Sequence, residues 1–244
     1  MQSGIEGGIE GGIESCIESG ILMRLGVLIP AAGYSRRFMG DKRLASVGGE
    51  PMLAATLARV QRALAAFPAS VMRVVIRARD PLVEHLLAQR GVARVHAPPW
   101  PVGIGASIAA GSEALLRADP GLDVIVVVPA DLPYMRPDSL SALLRQSRRG
   151  AITVPAYLGE PGEVVAVGAE FFADLRSLSV RHGVKKLLRS HGAGVRYQPV
   201  EDSTLIRSID SPADLQAATE PDPAGRNCEV PRRDRHAALA VREE

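Results

Sequence analysis

The chain is poor in aromatic residues and in cysteine. Aromatics make up 4% of its 244 residues, too few for a platform on which bases could stack. Its two cysteines, Cys16 and Cys228, lie toward opposite ends, so neither a disulfide framework nor a metal knuckle is implied, and a reducing cytoplasm is the simplest compartment. No apolar run is long enough to span a bilayer. Charge of one sign is also missing: 29 basic and 27 acidic residues leave a formal net charge of +2. The basic residues are spread along the chain or sit in its ends, so no nucleic-acid footprint stands out. No GKS or GKT follows a glycine-rich turn, which weakens the ATPase reading. His85, His96, His182, His191 and His236 lack metal-ligand spacing and read as surface or loop histidines.

What is present is a chain close to half apolar, enough for one sizeable core. Residues 3–21 repeat a four-residue unit, GIEG GIEG GIES CIES, too glycine-rich to hold a helix and too regular for ordinary domain sequence. Residues 1–22 are therefore expected to be disordered, with translation expected to start at Met23. From Thr219 onward the sequence is polar and proline-bearing, and 219–244 is read as a disordered tail. One domain over 23–218 remains.

Within it, strands are expected at Leu25–Ile29, Val71–Arg77, Val92–Val95, Val124–Val128, Ala151–Pro155 and Val164–Val167, each an apolar run bounded by turn residues. Leu53, Leu57, Val60 and Leu64 recur at helical spacing after Pro51, which suits a first helical position. Further helices are expected around Val83–Leu87, Ser107–Arg117, from Pro137, around Phe171–Leu175, around Val184–Leu188, and after Ser211 as N-cap and Pro212. Strand alternating with helix makes the class α/β.

The stretch LGVLIPAAGYSRRFMGDKRL, residues 25–44, organises the rest. A buried strand breaks into Pro30, Ala31, Ala32 and Gly33, and Arg36, Arg37 and Lys42 follow. Small side chains let a ligand approach the backbone, and three cations offset several negative charges. A triphosphate fits. Asp131 comes just past the end of the strand at Val124–Val128, and the carboxyl ends of parallel strands are where open α/β sheets bind ligands. Bland readings stand beside these: a solvated basic loop for the cations, an Asx-turn for Asp131, helix capping for Asp210 and Asp214, and a helix start for Ser107. GIGASIAAG, from Gly103, has GxG before a helix but Ile108 at the third glycine position, so a dinucleotide fingerprint is poor.

AAGYSRRFMGDKRL resembles the signature loop of the MobA-like nucleotidyltransferases, LAAGxSxRMGxxKLL, with agreement from Gly33 to Ser35, Arg37 and Lys42. GIGASIAAG, VVPADLPYMRPDSL and SIDSPADL resemble later family segments, in the family's order. Within that superfamily the likeness is nearest to enzymes that add a cytidylyl group to the molybdenum-pterin cofactor. The resemblance implies a three-layer Rossmann-like nucleotidyltransferase fold with a mostly parallel, mixed central sheet. It also implies Mg²⁺ dependence and pyrophosphate release. Ala31 and Ala32 before Gly33 favour CTP over GTP as the nucleotide.

By the family's pattern, Ala31, Ala32, Gly33, Ser35, Arg37, Lys42 and Ser107 would hold the nucleotide. Lys42 would stabilise charge at the α-phosphate, Asp131 would bind Mg²⁺, and Asp210 would be a second metal contact. Lys42, Arg37 and Asp131 are thus the expected catalytic residues. The partners implied are a phosphorylated small-molecule acceptor and a molybdoenzyme or its maturation factor. Met39 departs from the family's glycine, Glu163 from its GHP step, Arg181 lies in an altered GDxGAR segment, and Ser208 replaces the first aspartate of DIDT. The nucleotide half is kept better than the acceptor half. Two alternatives follow: another acceptor such as a sugar or polyol phosphate, or a nucleotide-binding accessory protein without turnover.

Overall fold

A computed structural model describes residues 23–35, 37, 38, 40–99, 103–179, 183–201 and 203–219. The repeat at 1–22, Arg36, Met39, Arg181, His182 and the segment 220–244 lie outside the described residues. Among the described residues ten strands and seven α-helices follow in order: β1 (Leu25–Pro30), β2 (Ser46–Val47), β3 (Glu50–Pro51), α1 (Met52–Leu64), β4 (Ser70–Ile76), α2 (Pro81–Gln89), β5 (Arg94–His96), α3 (Ile104–Ala118), β6 (Val124–Val127), α4 (Pro137–Gln146), β7 (Ile152–Tyr157), β8 (Glu160–Pro161), β9 (Val165–Gly168), α5 (Phe172–Arg176), α6 (Val184–Ser190), β10 (Val195–Pro199) and α7 (Pro212–Thr219).

The main sheet runs β10-β7-β9-β6-β1-β4-β5, with β8 paired to β7, and β2 and β3 form a separate hairpin. β1 pairs in parallel with β4 and β6, β4 with β5, and β7 with β10, whereas β9 is antiparallel to both β6 and β7. The sheet is mixed and mostly parallel.

Side chains of β1 alternate faces, and the alternation builds three layers. Leu25, Val27 and Ile29 enter one core with Leu53, Leu57 and Val60 of α1, Val83 and Leu87 of α2, and Leu140, Leu143 and Leu144 of α4. Leu28 enters a second core with Ile108 and Leu115 of α3, Leu175 of α5 and Leu187 of α6. β6 divides the same way, with Val124 and Val126 on the first face and Ile125 and Val127 on the second. Both faces are covered, so the central strands read as unbroken apolar runs. Among the described residues no helix is long and apolar enough to cross a membrane.

From β1 the chain proceeds to β4 and β5 on one side, then returns through α3 to β6 on the other. The loops leaving β1 and β6 therefore diverge from a shared point at the carboxyl ends of two adjacent parallel strands. A crevice opens at such a switch point. Two elements begin elsewhere than the sequence predicts: Pro51 closes β3 and caps α1 from outside, and α3 starts at Ile104, which puts Ser107 in its first turn. Thr219 ends α7 instead of opening a tail.

Candidate active site

The chain leaves β1 tightly held. Ala31 donates its N–H to the Val75 carbonyl at 2.7 Å and accepts at its own carbonyl from Arg43 Nη1 at 2.7 Å. Its main-chain groups are thus used within the fold, and what it offers a ligand is a small side chain. Ala32 is also buried, whereas Gly33 and Tyr34 face solvent. A Cβ at Gly33 would meet no other atom within 4 Å. Ser35 adopts the left-handed conformation, φ 48°, which L-residues other than glycine rarely occupy. Its Oγ accepts from the Lys42 N–H at 3.3 Å. The loop thereby closes on itself and delivers Lys42 back over the end of β1.

Lys42 Nζ then meets two carboxylates. It donates to Asp131 Oδ2, to Asp210 Oδ1 at 3.4 Å and to the Ile209 carbonyl at 3.3 Å. Asp210 Oδ2 also lies 3.3 Å from Arg37 Nη2, whose side chain is otherwise 67% exposed. The segment bearing Asp210 is fixed from both directions: the Ile209 N–H donates to the Asp131 carbonyl at 3.0 Å, and α7 starts with a reciprocal cap. In that cap Ser211 Oγ accepts from the Asp214 N–H at 3.2 Å, while Asp214 Oδ2 accepts from the N–H groups of Asp210 and Ser211 at 2.9 and 2.8 Å. Capping is the work of Ser211 and Asp214. The Asp210 carboxylate is left to face the lysine and arginine.

Asp131 is a perturbed titratable group. Burial pushes its carboxyl above the ordinary value of 3.8; Lys42 pulls it back, and Asp210 adds to the rise. Its Oδ1 is buried without a hydrogen-bond partner, which argues against the Asx-turn reading. An orphaned carboxylate oxygen in a polar crevice is what a hard cation takes up, and such a cation needs only one or two protein carboxylates because it keeps several waters. Among the described residues no three acidic, histidine or cysteine side chains converge as a closed metal cage. Asp131 and Asp210 fit an open divalent site.

Lys42, Arg37, Asp131, Asp210 and Ser35 are thus brought into one crevice with Ala31, Ala32 and Gly33 along its wall. Ser107 stands apart from this cluster. Its Oγ donates to the Gly103 carbonyl at 3.3 Å in the first turn of α3. Sequence reasoning passed over Arg43, Asp41, Arg77 and Asp80, which form a salt-bridge network under the loop. Only the run of charges from Asp41 to Arg43 hinted at it.

The family model described as the MobA-like NTP transferase domain matches residues 27–195, from β1 to the start of β10. The chain belongs to the MobA-like NTP transferase family. A curated relative, the 3-deoxy-manno-octulosonate cytidylyltransferase of Anaeromyxobacter sp. (strain Fw109-5), is 28% identical over 129 residues, covering 53% of this chain and 49% of the relative. The chain thus spans about half the length of the curated relative it matches. Among solved structures, Rv0371c from Mycobacterium tuberculosis H37Rv superposes with a TM-score of 0.68 at 22% identity, covering 80% of this chain and 97% of that one. The Rv0371c homologue from Mycobacterium sp. strain JC1 gives a TM-score of 0.66 at 28% identity, covering 77% and 91%. The three-layer, mostly parallel fold is therefore one that these solved structures share.

Proposed function

We propose that this protein is a divalent-metal-dependent cytidylyltransferase that moves a cytidylyl group from CTP to a phosphorylated small-molecule acceptor, with a molybdenum-pterin cofactor as the leading acceptor. The observation that carries the reading is the convergence of Lys42, Arg37, Asp131 and Asp210 beside a small-residue loop at the carboxyl ends of β1 and β6. Two cations and two carboxylates in one crevice suit a ligand that is itself an anion complexed with a metal.

A terminal phosphate oxygen of the acceptor forms a new bond to the α-phosphorus in line, and the bond to the β-phosphate oxygen breaks, releasing pyrophosphate. Little covalent work falls to the protein, so positioning and charge dominate. Asp131 and Asp210 would hold Mg²⁺, which when bound neutralises phosphate oxygens. The Ala31–Gly33 wall lets the nucleotide approach closely, Ser35 orders the loop, and Arg37, being exposed, is free to follow a phosphate. Lys42 balances charge at the α-phosphate and on the leaving group. Ser107, in the first turn of α3, is assigned to nucleotide binding.

CTP is favoured over GTP by Ala32 and by the cytidylyltransferase named among the relatives. That relative's name also favours a second reading, the same transfer to a sugar derivative. The test is pyrophosphate release with Mg²⁺, each of the four nucleoside triphosphates, and reduced molybdenum-pterin or sugar and polyol phosphates as acceptors. Release with CTP and one acceptor, lowered about a hundredfold or more in Asp131→Asn and in Lys42→Ala, is the expected result. CTP binding without release from any acceptor would favour an accessory nucleotide-binding role.

A further inference from the structure

The residue after Lys42 is an arginine, and Arg43 is 3% exposed. A guanidinium so deep in the protein persists only where its charge and its donors are met. Arg43 Nε donates to Asp41 Oδ1 at 2.8 Å, Nη1 to the Ala31 carbonyl at 2.7 Å, and Nη2 to Asp41 Oδ2 and to Asp80 Oδ2, the last at 2.7 Å. Arg77, just past β4, closes the square, with Nη2 2.6 Å from Asp41 Oδ2 and Nε 3.3 Å from Asp80 Oδ2. Two arginines and two aspartates cancel, so the network adds no net charge beneath the anion-binding loop.

Stability alone is a poor explanation for such a network. Desolvating four charged groups offsets most of their attraction, and an apolar side chain of similar volume often serves as well. The MobA-like signature motif has leucine here. What the arginine does that leucine cannot is join three segments at the residue next to Lys42. These are the end of β1 through Ala31, the lysine-bearing turn through Asp41, and the turn between β4 and α2 through Asp80. Asp41 Oδ1 also accepts from the Arg43 N–H at 3.1 Å and so starts the 3-10 turn Lys42–Leu44. On the other side of the lysine, its own N–H is bound to Ser35 Oγ.

We infer that Arg43 is a positioning residue for Lys42: its buried fork on Asp41 and Asp80 fixes the lysine-bearing turn over the end of β1, and so sets what Nζ can reach. This rests on the reading of Lys42 as a phosphate-binding residue. With the Lys42 main chain held on both sides, the sweep of Nζ is limited to its side-chain torsions, from Asp131 and Asp210 at one extreme to a bound triphosphate at the other.

The experiment is a double-mutant cycle on Mg·CTP affinity, measured calorimetrically on the full chain with Arg43→Leu, Lys42→Ala and the pair. Melting temperatures of the four ligand-free proteins are read alongside. Arg43→Leu is expected to weaken Mg·CTP about tenfold when Lys42 is present and about twofold or less when it is alanine. A purely structural role would lower the melting temperature and leave the two losses equal, which would overturn the inference, as would an Arg43→Leu protein that binds like the unaltered one. Arg43→Lys keeps the charge and loses the fork, and it decides the matter if Lys42→Ala binds too weakly to measure or Arg43→Leu fails to fold. A loss of affinity at an unchanged melting temperature supports positioning, and full affinity refutes it. An unaltered protein that binds no nucleoside triphosphate with Mg²⁺ would instead overturn the nucleotide reading, and the inference with it.

Discussion

Lys42 and Asp131 stand 89 residues apart in the chain and meet as an ion pair at the mouth of the crevice between β1 and β6. With Asp210 Oδ1 3.4 Å away on the other side, the ammonium occupies the space between two carboxylates, which is where a divalent cation would be held. A metal must displace it. Lys42→Met is therefore expected to bind Mn²⁺, in the absence of nucleotide, about tenfold more tightly than the unaltered protein, because the competing positive charge is gone. Titration of the Mn²⁺ paramagnetic resonance signal at mildly alkaline pH measures this directly. Equal or weaker binding would mean that the lysine and the metal do not compete.

The same carboxylate makes stability depend on pH. Burial raises the Asp131 carboxyl above its ordinary 3.8, with Lys42 offsetting part of the rise. The folded protein therefore gives up this proton at a higher pH than the unfolded chain does. Between those two values the folded state binds more protons, so stability from this group is fullest below the ordinary value and falls as pH rises through the raised one. Asp131→Asn removes that slope. Urea unfolding of both proteins without metal, from about pH 4 to pH 8, should show the variant gaining on the unaltered protein as pH rises. A constant difference would contradict the assignment.

Legibility followed burial. β1 and β6 are readable because both of their faces are covered, and a continuous apolar run can be little else. β10 is not legible, since VRYQP has mostly exposed side chains and, among the described residues, pairs only with β7 at the edge of the sheet. β5 lies at Arg94–His96, two residues later than Val92 suggests, because Val92 is buried in the turn after α2 while the strand's own side chains are exposed or half-buried.

In the site, the signature spacing brought out Arg37 and Lys42, and the position just after a buried strand brought out Asp131. That Asp210 faces Lys42 was hidden, because 168 residues separate them and the serine and aspartate beside it read equally well as a cap. Arg43 was invisible for a different reason. An arginine beside a lysine in a charged loop looks solvated, and only the positions of Asp80 and Ala31 reveal that it is buried.

Ser35 combines a left-handed backbone, φ 48°, with a hydroxyl that accepts from the Lys42 N–H, and two substitutions separate these. Ser35→Gly removes the hydroxyl and relieves the backbone; Ser35→Ala removes the hydroxyl and keeps the strain. Both should weaken nucleotide binding, while denaturant unfolding should find the glycine variant more stable than the alanine variant by about 1 kcal/mol. A more stable alanine variant would show that the left-handed backbone at this position holds no strain that glycine relieves.

Two glycines bring elements close enough that a methyl group has no room, and the surroundings differ in how far they can yield. At Gly111 in α3 an added Cβ would collide with Leu28 Cδ1 and lie 2.7 Å from Val75 Cγ2, both ends of side chains. At Gly168, the last residue of β9, it would collide with the carbonyl oxygens of Arg148 and Arg149 and lie 2.5 Å from the Arg149 carbonyl carbon. Side chains can rotate at a modest cost, whereas that backbone is itself tied down: the Gly168 N–H donates to the Ala151 carbonyl at 2.9 Å, and the Glu170 N–H to the Arg149 carbonyl at 3.2 Å. Gly111→Ala should cost about 1–3 kcal/mol, the usual range for overpacking a core, and Gly168→Ala should cost more. The order of their urea midpoints checks it. If Gly111→Ala is the more damaging, then α3 and not the turn before β7 is the rigid support of the sheet beneath the crevice, since α3 lies directly on Leu28 of β1, which carries the anion-binding loop, and on Val75 of the neighbouring β4.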